Sequence, residues 1–247
     1  MRGRVVIGAA ENKAKLSGLP LHIGFIMDGN GRWAAKRGMP RSLGHKAGGE
    51  ALKKVVEACR RIGIPYVTFY AFSTENWKRP ADEVDALMKL FKEYLDEADR
   101  FAGQKARIRF LGDKSPFPDE LRSRMTELEK NSAQYTSITI MLAMNYGGRD
   151  DIIYAAKRLA ELSADGDIRP EDIDEKTFSG MLYTGSAPDA DLIIRSSGEQ
   201  RLSNFLLWQS AYAEFYFTDT LWPDFDEKEL KKALESYASR SRRFGGV

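Results

Sequence analysis

Apolar and polar positions along the chain follow two alternating rhythms. Residues 21–27 form a short apolar run that reads as a buried strand. Ala47, Ala51, Val55, Ala58 and Ile62 then recur at helical spacing, and Gly63 supplies the stop. Residues 66–72, rich in aromatic and β-branched side chains, read as the next strand. Val84, Leu87, Met88, Phe91, Leu95, Ala98 and Phe101 make a strong amphipathic stripe. A strand over 107–111, a helix over 121–130, a strand over 138–144 and a helix over 150–162 follow. A polar connection at 167–174 precedes two short strands, 192–195 and 214–217. A last helix starts near Asp226 and runs into the basic tail Arg240, Arg242 and Arg243.

Strand–helix alternation of this kind predicts an α/β fold: a central, mainly parallel six-stranded sheet flanked by helices. No repeat, low-complexity linker or composition break interrupts it, so residues 20–247 are expected to form one catalytic domain behind a flexible tail over 1–19. The stripe over 84–101 belongs to the core first; an enzyme acting on a long apolar chain would need an apolar tunnel between that helix and the sheet, which part of the stripe could line beside the small Ala71.

Composition narrows the chemistry. The 247 residues are 43% apolar and 30% charged, with a net charge of only +2. The whole chain is therefore no polybasic nucleic-acid binder, and anion recognition must come from local arginines. One cysteine, Cys59, permits no internal disulfide and points to a reducing, cytoplasmic setting. Two histidines and one cysteine leave little for zinc, whereas an oxygen-ligand metal such as magnesium stays open. The longest apolar stretch, 138–144, falls far short of the roughly 20 residues that span a bilayer. The apolar part of the N-terminus is too short for a signal peptide.

Open parallel sheets bind ligands beyond the carboxyl ends of their strands. Four such ends are polar here: Asp28-Gly29-Asn30-Gly31-Arg32, Ser73-Thr74-Glu75-Asn76, Asn145-Tyr146-Gly147-Gly148-Arg149 and Arg195-Ser196-Ser197-Gly198. All should converge on one rim. Glycines at alternate positions let backbone N–H groups approach an anion, and a helix after them would add positive potential. Asp28 facing a phosphate makes sense with a bridging hard cation, and Arg32 and Arg41 can grip phosphate oxygens. Read alone, each cluster also has a plainer meaning. Asp28 to Gly31 could be an Asx-capped turn, His45 a capping residue, and 72–80 a solvated connection stopped by Pro80. The functional alternative for the last is a loop that carries Trp77 and Arg79 over a substrate. Arg195 and Arg201 with several hydroxyls make a diphosphate pocket. Glu214, among apolar and aromatic neighbours, needs either an arginine partner or a metal.

The blocks together resemble the cis-prenyltransferase (undecaprenyl diphosphate synthase) family. His22-Ile23-Gly24-Phe25-Ile26-Met27-Asp28-Gly29-Asn30-Gly31-Arg32-Trp33-Ala34, with Gly44-His45-Lys46-Ala47-Gly48, is similar to its first signature. Tyr70-Ala71-Phe72-Ser73-Thr74-Glu75-Asn76-Trp77 is similar to the second. Asp191-Leu192-Ile193-Ile194-Arg195-Ser196-Ser197-Gly198-Glu199-Gln200-Arg201-Leu202-Ser203-Asn204, with the segment around Glu214, is similar to the third. The order is kept over about residues 20 to 245.

The resemblance implies repeated cis condensation of isopentenyl diphosphate onto an allylic diphosphate such as farnesyl diphosphate, giving an undecaprenyl-type product. It implies magnesium, a homodimer, no nucleic acid, and at most a transient peripheral membrane contact. Asp28 would hold the metal, with Glu214 supplied near the partner subunit. Gly29, Asn30, Gly31, Arg32, Arg41 and His45 would bind the allylic diphosphate. Arg195, Arg201, Leu202 and Ser203 would bind that of isopentenyl diphosphate. Ser73, Thr74, Glu75, Trp77 and Arg79 would complete the substrate site, with Trp33 and Phe72 on its apolar side. Asn76 is the family's position for proton removal; a free amide is a weak base, so Asn76 is expected to orient substrate while diphosphate oxygens or Glu75 take the proton. Arg243-Phe244-Gly245 is similar to a C-terminal element that reaches a neighbouring active site.

Three rivals follow. A non-catalytic partner subunit of the family would lack Asp28 and the arginines. An all-helical trans-type enzyme would carry a motif that Asp150-Asp151-Ile152-Ile153-Tyr154 does not complete. A phosphatase would use Asp28 as a nucleophile.

Overall fold

A computed structural model describes residues 18–97 and 105–240. Most of the expected N-terminal tail, the stripe positions Ala98 and Phe101, and the tail residues Arg242, Arg243, Phe244 and Gly245 lie outside them. Leu19, the tail's expected last residue, packs against the core.

Six strands form the sheet: β1 (His22–Ile26), β2 (Tyr66–Ser73), β3 (Ala106–Leu111), β4 (Ile138–Tyr146), β5 (Leu192–Arg195) and β6 (Glu214–Phe217). Their order is β3-β4-β2-β1-β5-β6, and every pairing is parallel. The expected mainly parallel sheet is thus wholly parallel. β1 lies among the inner strands and all five of its residues are buried, as an unbroken apolar run requires when both faces are covered. β1 and β5 are in register with Ile26 beside Arg195, so the tips of both strands reach the same rim.

Seven helices occur among the described residues: α1 (Asn30–Ala35), α2 (Arg41–Ile62), α3 (Ala81–Glu97), α4 (Asp119–Ser132), α5 (Gly148–Ala164), α6 (Glu175–Met181) and α7 (Glu227–Ala238). Gly63 ends α2 in the left-handed conformation, φ 98°, as its place after the apolar stripe predicts. α2 and α7 cover one face through Val55, Cys59, Leu230 and Leu234, which join Phe25, Phe69 and Trp222. Cys59 is fully buried there, and burial pushes its thiol pKa up, so it packs as a small apolar group. α3 and α4 close a second cluster around Phe72, Leu87, Phe110 and Met125.

Two expectations are corrected. The segment after β2 is no open connection. Residues Thr74–Lys78 form a 3₁₀ turn, and α3 starts at Ala81, so Pro80 introduces the next helix. The expected polar connection holds a 3₁₀ turn, Pro170–Asp172, and leads into α6, whose N-cap Asp174 accepts a hydrogen bond from the Thr177 N–H at 2.7 Å. α6 is too short for its spacing to register as a helical stripe.

The contact of α1 with α2 sets the rim's shape. Gly44 lets the helices approach so closely that a Cβ there would lie 2.1 Å from the Asn30 carbonyl oxygen. Gly44→Ala should therefore lower stability by about 1–3 kcal/mol through overpacking, measured by urea unfolding. A wild-type midpoint would mean that α1 is free to shift.

Candidate active site

Asp28 stands just beyond the tip of β1, its backbone fixed on both sides. Its carbonyl accepts from the Ser196 hydroxyl at 2.7 Å and from the Trp222 N–H at 3.1 Å. Gly29 follows at φ 104°, a conformation that turns the chain directly into α1 and strains any side chain. The Asp28 carboxylate meets Arg195 Nη2 at 3.0 Å and Arg32 Nη2 at 3.4 Å. Arg195 is only 4% exposed. Its Nη1 donates to the Arg201 carbonyl at 2.5 Å and the Ser203 hydroxyl at 2.8 Å. Arg32 Nη1 donates to the Ser197 carbonyl at 3.0 Å, while Arg201 Nη1 meets Glu199 at 2.5 Å. Asp28, Arg32, Arg195, Arg201 and Ser203, spread over 175 positions of sequence, thus share one site.

The loop after β5 is bent to do this. Ser197, Ser203, Asn204 and Leu206 all have positive φ, at 82°, 49°, 64° and 42°. Such residues cost of order 1–3 kcal/mol each and persist where the surroundings hold them. Leu202 packs into the apolar cluster beneath.

Across the rim, Glu83 in the first turn of α3 binds Arg79 at 2.8 Å and Arg41 at 3.4 Å. His45 lies beside this trio. Its pKa falls to about 4, through burial first and then through Arg79 and Arg41, so the ring is neutral near pH 7. The buried His45 Nε2 and Asn30 Oδ1 have no hydrogen-bond partner. Gly31 abuts Arg41: a Cβ would lie 2.9 Å from its Nε and would displace that side chain.

At the tip of β2, Asn76 Oδ1 accepts from the Ser73 N–H at 2.9 Å, and the Ser73 side chain accepts from the Asn76 backbone in return. The amide oxygen is therefore committed to the turn. Glu75 accepts from the Thr74 hydroxyl at 3.2 Å and from Asn204 Nδ2 at 3.1 Å. Burial pushes its pKa up, but these and other hydrogen bonds outweigh that and hold the carboxyl below its usual value. Trp77 donates to Asn145 Oδ1 at 2.8 Å, and its ring centroid lies 4.9 Å from that of Phe72 and 5.7 Å from that of Phe117. That packing anchors Trp77.

Not every predicted residue joins the site. Trp33 donates to Asp224 at 2.7 Å under the Arg37 guanidinium, away from the cavity. Glu214 starts β6 level with Leu192, whereas Phe217 is level with Arg195. It therefore sits about 10 Å of strand below the rim. There its partner is Arg240 at 2.6 Å. Within one chain Glu214 and Asp28 are not brought together.

Sequence reasoning missed two bracing residues. Glu83 sits in the first turn of α3, four residues after Arg79, which precedes the helix in extended backbone. Asn204 is the other. Its carbonyl accepts from the Gly148 N–H at 2.6 Å, its Oδ1 from the Arg149 N–H at 2.9 Å, and its Nδ2 donates to Glu75. It ties three strand ends together and occupies N–H groups at the start of α5 that could otherwise face an anion.

Below the charged rim lies a cavity of about 650 Å³. Asp28, Asn30, His45, Arg79, Arg195 and Ser203 line its polar mouth. Leu52, Ala71, Leu87, Phe91, Leu95 and Phe110 line its apolar depth, between the sheet and α2 and α3. A polar mouth with an apolar interior fits an amphiphile with an anionic head.

Among the described residues no cluster of three or more His, Cys, Asp or Glu side chains could hold a metal on its own. Magnesium commonly takes one or two carboxylates and completes its shell with substrate phosphates and water. Asp28, with the unpartnered Asn30 Oδ1 at the same mouth, fits an ion of this kind carried in by a diphosphate.

Fold and site thus describe a transferase-type α/β domain that handles an anionic, long-tailed substrate. The family model described as "Putative undecaprenyl diphosphate synthase" matches residues 26–245, and the chain belongs to that family of cis-prenyl chain-elongating transferases. An isoprenyl transferase of Heliobacterium mobile is 52% identical over 93% of this chain and 88% of its own length. The (2E,6E)-farnesyl-diphosphate-specific ditrans,polycis-undecaprenyl-diphosphate synthase of Xanthomonas axonopodis pv. citri is 49% identical over 92% of this chain and 89% of its own. The crystal structure of lavandulyl diphosphate synthase from Lavandula x intermedia, in complex with dimethylallyl diphosphate, superposes with a TM-score of 0.89 at 40% identity, covering 93% of this chain and 100% of that one.

Two measurements test the site's construction. Asn204→Ala removes the brace on Glu75 and on the start of α5, and should cut turnover by about tenfold or more, since a misplacement near 1 Å can cost a hundredfold. Unchanged kinetics would make the brace ornamental. His22, fully buried and also lowered to about 4 by desolvation, should resemble His45. Both imidazoles then remain neutral from pH 8 to pH 5, and a proton NMR titration should show neither moving. The unfolded chain takes up these protons near pH 6.5. The stability they contribute is thus present above pH 6.5 and lost as pH falls toward 4. A ring titrating near 6.5 would contradict its burial.

Proposed function

We propose that this chain elongates an allylic diphosphate with isopentenyl diphosphate, making each new double bond cis, and continues to a long, undecaprenyl-type product. The observation that carries this reading is the continuity of the Asp28–Arg195 rim with one deep apolar cavity. A single condensation onto a short primer needs no such depth. The farnesyl preference of the Xanthomonas relative supports farnesyl diphosphate as primer.

In this mechanism Arg32, Arg41 and His45 hold the allylic diphosphate, with the primer's tail directed at Ala71 and Phe91. Arg195, Arg201 and Ser203 hold the diphosphate of isopentenyl diphosphate. Magnesium, when bound by Asp28 and the diphosphate, would supply charge neutralisation as the leaving group departs. The allylic C–O bond breaks and its electron pair leaves with the diphosphate. Arg32 and Arg41 stabilise the charge that develops there. The double bond of isopentenyl diphosphate attacks the cationic allylic carbon, and a proton is then lost to form the new double bond. Asn76 holds the turn that shapes this region. Glu75, ionised and already accepting two side-chain hydrogen bonds, is a weak proton acceptor, so the released diphosphate is assigned that role. Neutral His45 offers a hydrogen bond without adding a competing fixed charge.

Glu214 and Arg240 would act at a subunit boundary in a homodimer, consistent with their distance from Asp28. The rival of a non-catalytic partner subunit predicts a dismantled rim, and the assembled one argues against it.

Incubation with farnesyl diphosphate, labelled isopentenyl diphosphate and magnesium, followed by product sizing, should give long-chain label. Absence of incorporation under every metal and detergent condition would remove the assignment. Asp28→Asn, which leaves Arg195 a hydrogen-bond acceptor, should abolish turnover while the chain stays folded by circular dichroism, and retained activity would remove its metal role. Arg195→Lys keeps the charge but loses the fork that serves Asp28, Arg201 and Ser203 together. It should lower kcat/KM for isopentenyl diphosphate by about a hundredfold, a loss near 3 kcal/mol.

A further inference from the structure

The turn between α1 and α2 carries an exposed surface that the site does not use. From Gly29 to Gly49 the chain holds five lysines and arginines, Arg32, Lys36, Arg37, Arg41 and Lys46, and no aspartate or glutamate. The net charge of the whole protein is only +2, so this is a local concentration. Arg32 and Arg41 face the rim, and Arg37 is pinned between Trp33 and Asp224. Lys36 and Lys46 are exposed and have no ion-pair partner among the described residues. Between them two large apolar side chains stand in solvent, Met39 at 42% and Leu43 at 46% exposure. Few large apolar side chains among the described residues are so exposed, and these two lie four positions apart, Met39 just before Pro40 and Leu43 in the first turn of α2.

Position gives the patch its meaning. Arg41 bonds Glu83 at the head of α3, and α2 and α3 are the helices that wall the cavity. Asn30 and His45, which line the cavity mouth, flank the turn on either side in sequence, so the patch lies beside that mouth. Cations around a small apolar tip match an anionic phospholipid surface, where the apolar groups enter the headgroup boundary and the lysines meet lipid phosphates. A nucleic acid would satisfy the lysines but leave Met39 and Leu43 in water.

We infer that the α1–α2 turn, through Lys36, Met39, Leu43 and Lys46, docks the mouth of the cavity onto an anionic lipid bilayer. This rests on the proposed function only for its purpose: a long apolar product needs an exit into lipid. The contact itself needs no substrate.

The test is cosedimentation of the full chain with vesicles of phosphatidylglycerol and phosphatidylcholine, or of phosphatidylcholine alone, at low and high salt, without substrate. The protein should pellet with anionic vesicles, stay soluble with neutral ones, and be released by salt. Lys36→Glu with Lys46→Glu, and separately Met39→Ser with Leu43→Ser, should each weaken binding about tenfold or more. Both pairs should retain the wild-type melting curve and, in detergent, wild-type turnover. No pelleting of wild type with anionic vesicles overturns the inference. So does undiminished binding of the Met39→Ser, Leu43→Ser variant, which would leave only a general polyanion surface. Vesicle binding without prenyl transfer would sink the catalytic reading and leave this one standing; prenyl transfer without vesicle binding would do the reverse.

Discussion

A nearly buried guanidinium against a carboxylate at the tip of the neighbouring strand organises this molecule. Arg195 leaves water almost completely, and Asp28 meets it at 3.0 Å. Leaving such a charge without its partner costs about 3–5 kcal/mol. The requirement reaches far along the chain. β1 and β5 must stay in register, the Ser196 hydroxyl must hold the Asp28 carbonyl, and the loop to Ser203 must accept several left-handed residues to finish the arginine's hydrogen bonds. Stability and function draw on the same contact. The pair holds the Asp28 carboxylate and the Arg195 guanidinium together at the cavity mouth.

The rest of the site divides by the same electrostatics. On one side Glu199 is shared by Arg201 and, more distantly, Arg32; on the other Glu83 is shared by Arg41 and Arg79. Each pair of arginines is held by one glutamate, so each retains donors for a diphosphate. Arginines on both sides of a lone aspartate, above an apolar cavity, suit the joining of two prenyl diphosphates that we propose. Glu75 and Asn76, by contrast, both line the cavity but have hydrogen bonds engaged in holding the turn, which is why the proposal gives them a shaping role.

Much of this was legible in the residues. Most strands follow from apolar runs and β3 alternates arginines with apolar residues, while the convergence of four polar strand ends follows from parallel topology alone, which is why Asp28, Arg195 and Ser203 could be grouped without coordinates. Gly63 announced the end of α2. The sequence concealed what depends on backbone strain and on short elements. The positive φ of Asn204 has no local signature, so its role as a three-way brace could not be read. α6 holds few apolar residues, and the Thr74–Lys78 turn is too short for any periodicity. Trp33 and Trp77 illustrate a second limit: a tryptophan beside a motif can serve it or simply pack, and only the partners Asp224 and Asn145 decide. Glu214 shows a third, because register along β6, and not its place in a motif, sets its distance from Asp28.

The central claim is that Asp28 waits in its arginine clasp for a metal-loaded diphosphate. Calorimetric titration of an unreactive farnesyl thiodiphosphate, with and without magnesium, into wild type and Asp28→Asn tests it without turnover. Magnesium should tighten binding to wild type by about tenfold or more and leave the variant's affinity unchanged, while both bind comparably in chelator. Equal tightening in both proteins would show that the metal never engages Asp28, and the account built on that carboxylate would fail.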